Sequence, residues 1–142
     1  MKEADFSRDF IDTIKMKFPY YWGKKIHGHE MQDSSIPDNL FCINAIFVAI
    51  EFKVQRDGKI SITPGQIREI NEIKNANGIG LIIAYDENKG KILIRDKRLD
   101  YKKLFLRSNI TNARKYIRID WDFEFSDYET AVDIISLMVE NK

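Results

Sequence analysis

One stretch near the middle of the chain limits what the whole chain can fold into. From Ile46 to Val54 the even-numbered positions are all apolar, and β-branched and aromatic residues dominate. This alternation predicts a β-strand that buries one face in a hydrophobic core. Because Glu51 and Lys53 occupy odd-numbered positions, we expect both side chains on the opposite face.

The residues before this strand predict its partner. A tight turn at positions 44–45 would join it to a strand over 38–43, and in that register Asp38 faces Glu51. Directly opposed carboxylates, about 5 Å apart, destabilise a sheet unless a cation lies between them. The pair therefore predicts a metal site. A register slip or a wider loop, leaving both acids in solvent, is the alternative, since Asn-Ala is a weaker turn signal than Asn-Gly.

These residues also carry a family resemblance. Pro37-Asp38, followed after a spacer by Glu51-Phe52-Lys53, resembles the signature of the PD-(D/E)XK nucleases, which cut DNA phosphodiester bonds with magnesium. The order of the flanking segments is similar to the VRR-NUC branch, its phage-type relatives and the Holliday-junction resolvases. The segments that carry this similarity, within roughly Glu3 to Ala84, are Lys25–Gly28, Ile36–Asp38, Ile50–Lys53, Gly58–Lys59, Thr63–Gln66 and Ala76–Gly80.

The resemblance implies an α/β fold with a restriction-endonuclease-like core, a mixed central β-sheet flanked by α-helices. It implies Mg²⁺, with Mn²⁺ as a substitute, held by Asp38, Glu51 and the Phe52 carbonyl. Glu3 resembles the acid that relatives carry on their first helix, where it completes the metal shell. If that helix is rotated, Asp9 takes its place.

Two further side chains have an implied role and a simpler alternative. Lys53 is suited to orient the nucleophile or to stabilise charge on the phosphate, but it could form a plain salt bridge. Gln66 matches the helix-start glutamine of the family and could contact phosphate or water, or it could merely cap the helix. We therefore expect the catalytic group to comprise Asp38, Glu51, Lys53, Glu3 and Gln66.

The remaining pattern predicts the elements around this site. Phe6, Phe10, Ile14 and Phe18 recur every fourth residue and predict a first helix that Pro19 ends. A first strand is expected over 20–27, a polar loop over 28–36 and a second helix from a Thr63–Gln66 capping box. Further expectations are a strand covered on both faces over 79–85, an edge strand over 91–95 and a closing helix over 127–140.

Charge is segregated along the chain although its net value is only +1. Between Lys89 and Arg118 basic residues greatly outnumber acids, with interleaved aromatic residues, whereas 120–140 is acidic. Such a segment could follow a phosphate backbone, with the acidic stretch packed away from DNA, or it could be an ordinary solvated face. The expected nucleic-acid contacts are Lys24, Lys25, His27, Lys97, Arg98, Lys102 and Lys103.

A chain of 142 residues with 44% hydrophobic residues can bury one core. We expect a single nuclease domain over 1–142, with the core at 1–95 and a basic segment plus C-terminal helical extension at 96–142. The longest apolar run, 45–50, is too short to cross a bilayer, and a cytoplasmic protein is expected, in the host if phage-encoded. Cys42 is expected to be a buried small residue, and Tyr20, Tyr21 and Trp22 are expected in the core or an interface.

The sequence thus favours a Mg²⁺-dependent DNA endonuclease of a phage or mobile element, acting in recombination or repair, with branched or junction DNA as a candidate substrate. A homodimer would suit symmetric cutting of two strands. The alternatives are a non-catalytic nucleic-acid-binding module on the same fold, and a restriction or defence nuclease.

Overall fold

The computed structural model describes residues 1–26, 36–105 and 115–142. Four helices and eight strands lie in these ranges. The helices are α1 Glu3–Lys17, α2 Pro64–Asn75, α3 Tyr101–Leu104 and α4 Tyr128–Glu140. The strands are β1 Tyr21–Lys25, β2 Asn39–Ile43, β3 Ile46–Gln55, β4 Ile60–Ile62, β5 Ile79–Asp86, β6 Lys91–Arg95, β7 Lys115–Ile117 and β8 Phe123–Phe125.

Six strands form one mixed sheet in the order β1-β2-β3-β5-β6-β8. Within it β3 and β5 run parallel, and the other neighbouring pairs are antiparallel. Strands β4 and β7 form a separate two-stranded sheet. Helices cover the main sheet on both faces, so the expected mixed α/β architecture is confirmed.

Helices α1 and α4 pack on one face of the sheet. Phe6, Phe10 and Ile14 on α1 are fully buried and share a core with Ile135 of α4 and Phe52 of β3. The recurrence of apolar residues at every fourth position therefore predicted this helix and its buried face correctly. Helix α2 covers the opposite face, where its Ile67 packs with residues of β4, β5 and β6 in a second core.

The hairpin between β2 and β3 has the predicted register. Ile43 pairs with Ile46 and Phe41 with Val48. Asn44 and Ala45 adopt left-handed backbone angles, with φ of 50° and 69°, as a two-residue hairpin turn requires. The alternatives of a slipped register or a wider loop are therefore wrong.

Several expectations about individual residues and strands are wrong. Cys42 is exposed, because it lies on the face of β2 opposite the buried Phe41. Of the three aromatic residues expected in the core or an interface, Tyr21 alone packs against the core; Tyr20 and Trp22 are 84% and 55% exposed, which rules out the core for them and leaves the interface as a prediction.

Strand β6 is not an edge strand, because β8 pairs with its outer side. The first strand ends at Lys25, and His27 with the predicted loop over 28–35 lies outside the described residues. No helix among the described residues is sufficiently long and apolar to span a membrane.

Candidate functional site

The hairpin and the start of α2 bring four of the predicted site residues together. The backbone N–H of Asp38 donates to Glu51 Oε2 at 3.3 Å, so the two acidic residues are neighbours as predicted. Lys53 Nζ lies 3.5 Å from Glu51 Oε1, one alternation further along the same face of β3. This face of β3 therefore carries two opposite charges under helix α2.

Gln66 links the two charged side chains. Its Nε2 donates to Glu51 Oε1 at 3.1 Å, and its Oε1 accepts from Lys53 Nζ at 3.2 Å. The same Oε1 accepts from the backbone N–H of Thr63 at 3.0 Å, which closes the predicted capping box. Gln66 therefore caps the helix but does more than cap it, because the same amide oxygen also accepts from Lys53; a contact with phosphate or water stays a prediction.

The site is buried. Glu51 is 1% exposed, Lys53 4% and Gln66 5%. Burial raises the pKa of Glu51 from 4.5 to about 7, and the charges of Asp38 and Glu3 also raise it, although Lys53 and the Asp38 N–H lower it. Burial therefore outweighs the stabilising effect of Lys53 on the ionised carboxylate.

The two candidate acids on α1 lie in different surroundings. Glu3 lines a cavity together with Lys53, and its charge acts on Glu51. Asp9 instead lies 3.4 Å from Arg8, and its charge raises the pKa of Tyr128. Of the two, Glu3 is the acid that faces the site.

The potential metal ligands at this site are carboxylate oxygens, which Mg²⁺ takes, and they do not surround a metal on all sides as some other metals require. Within the described ranges, no three Asp, Glu, His or Cys side chains converge closely enough to hold a metal ion. Mg²⁺ commonly binds through one or two carboxylates, with water and substrate phosphate completing its shell. Asp38 and Glu51 provide such a pair. The side chain of Phe52 packs against Phe6 and Phe10 in the core. Its backbone carbonyl stays a predicted metal ligand.

The predicted nucleic-acid contacts fall into two groups. Lys24 and Lys25 are exposed on β1, where Lys25 pairs with Asn39, the residue after Asp38. The second group surrounds α3 and consists of exposed side chains, Lys97, Arg98, Lys102 and Lys103.

The segment that carries the second group is joined to α2 by Asn71. Its side-chain Nδ2 donates to the Leu99 carbonyl, and its Oδ1 accepts from the Leu99 N–H. One member of the acidic stretch lies beside this group, because Asp122 Oδ2 accepts from the backbone N–H of Lys97 at 2.9 Å; that the stretch as a whole packs away from DNA stays a prediction. His27 lies outside the described residues.

Sequence reasoning did not assign three cations beside the site. Lys2, Arg56 and Lys59 line the same cavity as Lys53 and Glu3. The Asp57-Gly58 pair is a strong hairpin signal and could have placed Arg56 and Lys59 at the end of the strand that carries Lys53.

Comparisons with known proteins bear on the fold. No protein-family model matches the chain, and no curated protein matches it significantly. Among solved structures it is similar to Hjc, a Holliday junction resolvase from the archaeal hyperthermophile Archaeoglobus fulgidus. The TM-score is 0.55 at 12% sequence identity, and the match covers 82% of this chain and 87% of that one. The fold is restriction-endonuclease-like.

The fold class expected from the sequence is therefore confirmed, whereas the VRR-NUC branch is not distinguished from its relatives. A bacterial homing endonuclease matches with a TM-score of 0.39 at 13% identity over 99% of this chain and 96% of that one, which is too low to support an argument. At such identities the likeness speaks for the fold alone.

Proposed function

We propose that this protein is a Mg²⁺-dependent DNA endonuclease that hydrolyses phosphodiester bonds and accepts Mn²⁺ as a substitute metal. The observation that carries this proposal is the buried carboxyl group of Glu51, whose pKa is raised to about 7 beside Asp38. Like charges placed side by side repel each other, so a buried carboxyl group beside a second acid favours a site made for a cation.

Asp38 and Glu51 would hold the metal, and the Phe52 carbonyl and Glu3 are the further ligands proposed, although the Glu3 carboxylate does not converge with both other acids in the described part of the chain. When bound, Mg²⁺ supplies Lewis acidity, which lowers the pKa of a bound water and offsets charge on the scissile phosphate.

In this scheme Lys53 stabilises negative charge on the phosphate during cleavage. Its ammonium group is held between Gln66 Oε1 at 3.2 Å and Glu51 Oε1 at 3.5 Å, and this fixes its position before substrate binds. A preorganised cation stabilises the negative charge that grows on the phosphoryl oxygens. Gln66 is a positioning residue, because it orients both Lys53 and Glu51.

We further propose branched or junction DNA as the substrate, in phage or mobile-element recombination or repair. The similar structure from Archaeoglobus fulgidus is that of a Holliday junction resolvase, which supports this choice of substrate. A homodimer would supply two sites for two strands. The proposed phosphate contacts are Lys24, Lys25, His27, Lys97, Arg98, Lys102 and Lys103.

A cleavage assay on a DNA panel tests this proposal. Purified protein is incubated with single-stranded, duplex, flapped and four-way DNA, in Mg²⁺ or in EDTA. We expect cleavage in Mg²⁺ alone, with the branched substrates cut fastest. A folded protein that binds these DNAs but cuts none of them in Mg²⁺ or Mn²⁺ would instead be a non-catalytic binding module.

A further inference from the structure

A basic cleft opens directly beside Lys53. It has a volume of about 320 Å³, and its lining includes Lys2, Glu3, Lys53, Arg56, Lys59 and Tyr116. Lys53 and Glu3 also belong to the proposed catalytic group, so the cleft is continuous with that site. Its volume falls at the lower end of the range of about 300–1,000 Å³ for small-ligand pockets, which suits one nucleotide and not a duplex.

The cleft has more positive charge than its own acids neutralise. Among the described residues that line it, Glu3 is the single acid against four cations, of which Lys53 is already paired with Glu51. Arg56 pairs with Glu87 outside the cleft, at 2.8 Å, and that pair is exposed. Lys2 and Lys59 form no salt bridge within the part of the chain that the structure describes. Converging cations of this kind attract an anion.

A turn fixes one side of the cleft. Asp57 and Gly58 have φ of 52° and 76°, and they return the chain from β3 to β4 so that Arg56 and Lys59 face each other. The guanidinium group of Arg118 lies over Gly58 and adds a further positive charge to this turn. The turn is tied to the next hairpin because the Asp57 N–H donates to Asn88 Oδ1 at 2.8 Å.

An exposed aromatic ring also lines the cleft. Tyr116 is 74% exposed, and it pairs with Ser61 across the β4–β7 sheet. A large exposed aromatic beside several cations is the combination by which proteins bind single-stranded nucleic acid, since the cations meet phosphates and the ring stacks on a base.

We infer that this cleft binds one unpaired nucleotide of the substrate strand next to the scissile bond. Lys2 and Lys59 contact its phosphates, and the ring of Tyr116 stacks on its base. The inference rests on the proposed nuclease function through Lys53 and Glu3. It also narrows the substrate, because a base that stacks on Tyr116 must have left the duplex; the substrate is therefore DNA that is locally unpaired at the cut.

The first test measures the salt dependence of binding to a flapped DNA in EDTA, where no cleavage interferes. The Lys2→Gln/Lys59→Gln variant is compared with a control of equal charge change, Lys15→Gln/Lys142→Gln, which lies outside the cleft. We expect the slope of log affinity against log salt to flatten by about 0.7–0.9 for each lost phosphate contact in the cleft variant alone. Equal slopes in the two variants would overturn the inference.

The second test locates the stacked base. The branch point of the flapped DNA fixes its register, so an abasic nucleotide can be moved along the strand one position at a time. At one position the wild type should lose roughly five- to a hundredfold in affinity, Tyr116→Ala should be insensitive, and Tyr116→Phe should keep the wild-type response. Equal sensitivity of Tyr116→Ala and wild type would reject the stacking role.

These binding results are independent of cleavage. If both tests succeed and the wild type still cuts no DNA in Mg²⁺, the nuclease proposal fails and the cleft remains a nucleotide-binding site.

Discussion

At the scale of single residues, the carboxyl group of Glu51 is subject to two opposing effects: hydrogen-bond and charge partners favour its ionised form, and burial disfavours it. Three donors reach it, from Lys53, Gln66 and the backbone of Asp38. Burial nevertheless dominates, and its pKa rises to about 7. The group is therefore partly protonated near neutral pH, and both pH and metal should alter the stability of the protein through it.

The pH dependence of stability follows from this shift. Between about pH 4.5 and 7 Glu51 is protonated in the folded state and ionised in the unfolded state, so the folded state binds more protons. Its contribution to the free energy of unfolding therefore falls as pH rises, by roughly 3 kcal/mol at most. Chemical denaturation of wild type and Glu51→Gln from pH 5 to pH 8 should show this as a growing difference in favour of the variant.

An exposed acid serves as the control for this measurement. Glu140→Gln on α4 removes the same charge from an exposed position, so it separates the loss of one negative charge from the loss of a buried carboxyl group. At pH 8, Mg²⁺ should stabilise wild type and not Glu51→Gln, because the ion favours ionised Glu51. A constant difference between Glu51→Gln and wild type across this range would show that Glu51 titrates normally.

Lys53 should affect the rate of cleavage and not the affinity for DNA. It is 4% exposed, so little of its side chain is available to anchor a DNA backbone. Lys53→Ala should lower the single-turnover rate in Mg²⁺ by about two to three orders of magnitude, with DNA affinity in EDTA nearly unchanged. If affinity falls in step with rate, Lys53 is an anchoring residue.

At the scale of secondary-structure elements, the start of α2 joins stability to the site. Thr63 and Gln66 form a reciprocal capping box, and Gln66 also contacts Glu51 and Lys53. The helix end therefore positions the charged pair on β3. A substitution that weakens only the helix cap can therefore be compared with one that also removes the contacts to Glu51 and Lys53.

Two substitutions make this comparison. Thr63→Ala removes the side-chain cap and should cost about 0.5–2 kcal/mol of stability, with a small effect on cleavage. Gln66→Ala also removes the bond to Glu51 and the acceptor of Lys53, so the cleavage rate should fall as well. Denaturation and single-turnover kinetics on both variants measure the two effects. Equal rate losses would mean that Gln66 acts through the helix cap alone.

The elements also show how far the sequence determines the fold. The β2–β3 register was predictable because a two-residue turn and an alternating strand leave few pairings. Helix α2 was predictable from its local capping signals. Strand β4 was missed because three residues carry too little periodicity, and the pairing of β8 with β6 joins segments far apart in the chain.

The part of the candidate site that depends on local structure was predictable, and the part that depends on long-range packing was not. Asp38, Glu51 and Lys53 follow from a local hairpin, whereas the burial of their face depends on packing of α2. The basic cleft was missed because it assembles Lys2, Arg56 and Tyr116 from three separate parts of the chain.

At the scale of the whole molecule, the C-terminal region contributes to the fold. Ala131, Val132 and Ile135 of α4 lie in the same core as Phe6 and Phe10 of α1. Asp122 also bonds the backbone of Asp96 and Lys97 and forms a salt bridge with Arg95. A single domain over 1–142 therefore stays our prediction, with the region after position 95 needed for its core.

The most direct test of the proposed function is single-turnover cleavage, in Mg²⁺, of the DNA that the wild type cuts fastest. Asp38→Asn and Glu51→Gln are compared with Asp12→Asn, which removes an equal charge from an exposed position on α1. We predict that the two site variants fold with wild-type or higher stability and lose cleavage, whereas Asp12→Asn cuts at the wild-type rate. Cleavage at the wild-type rate by either site variant would contradict the assignment of Asp38 and Glu51 as the metal site.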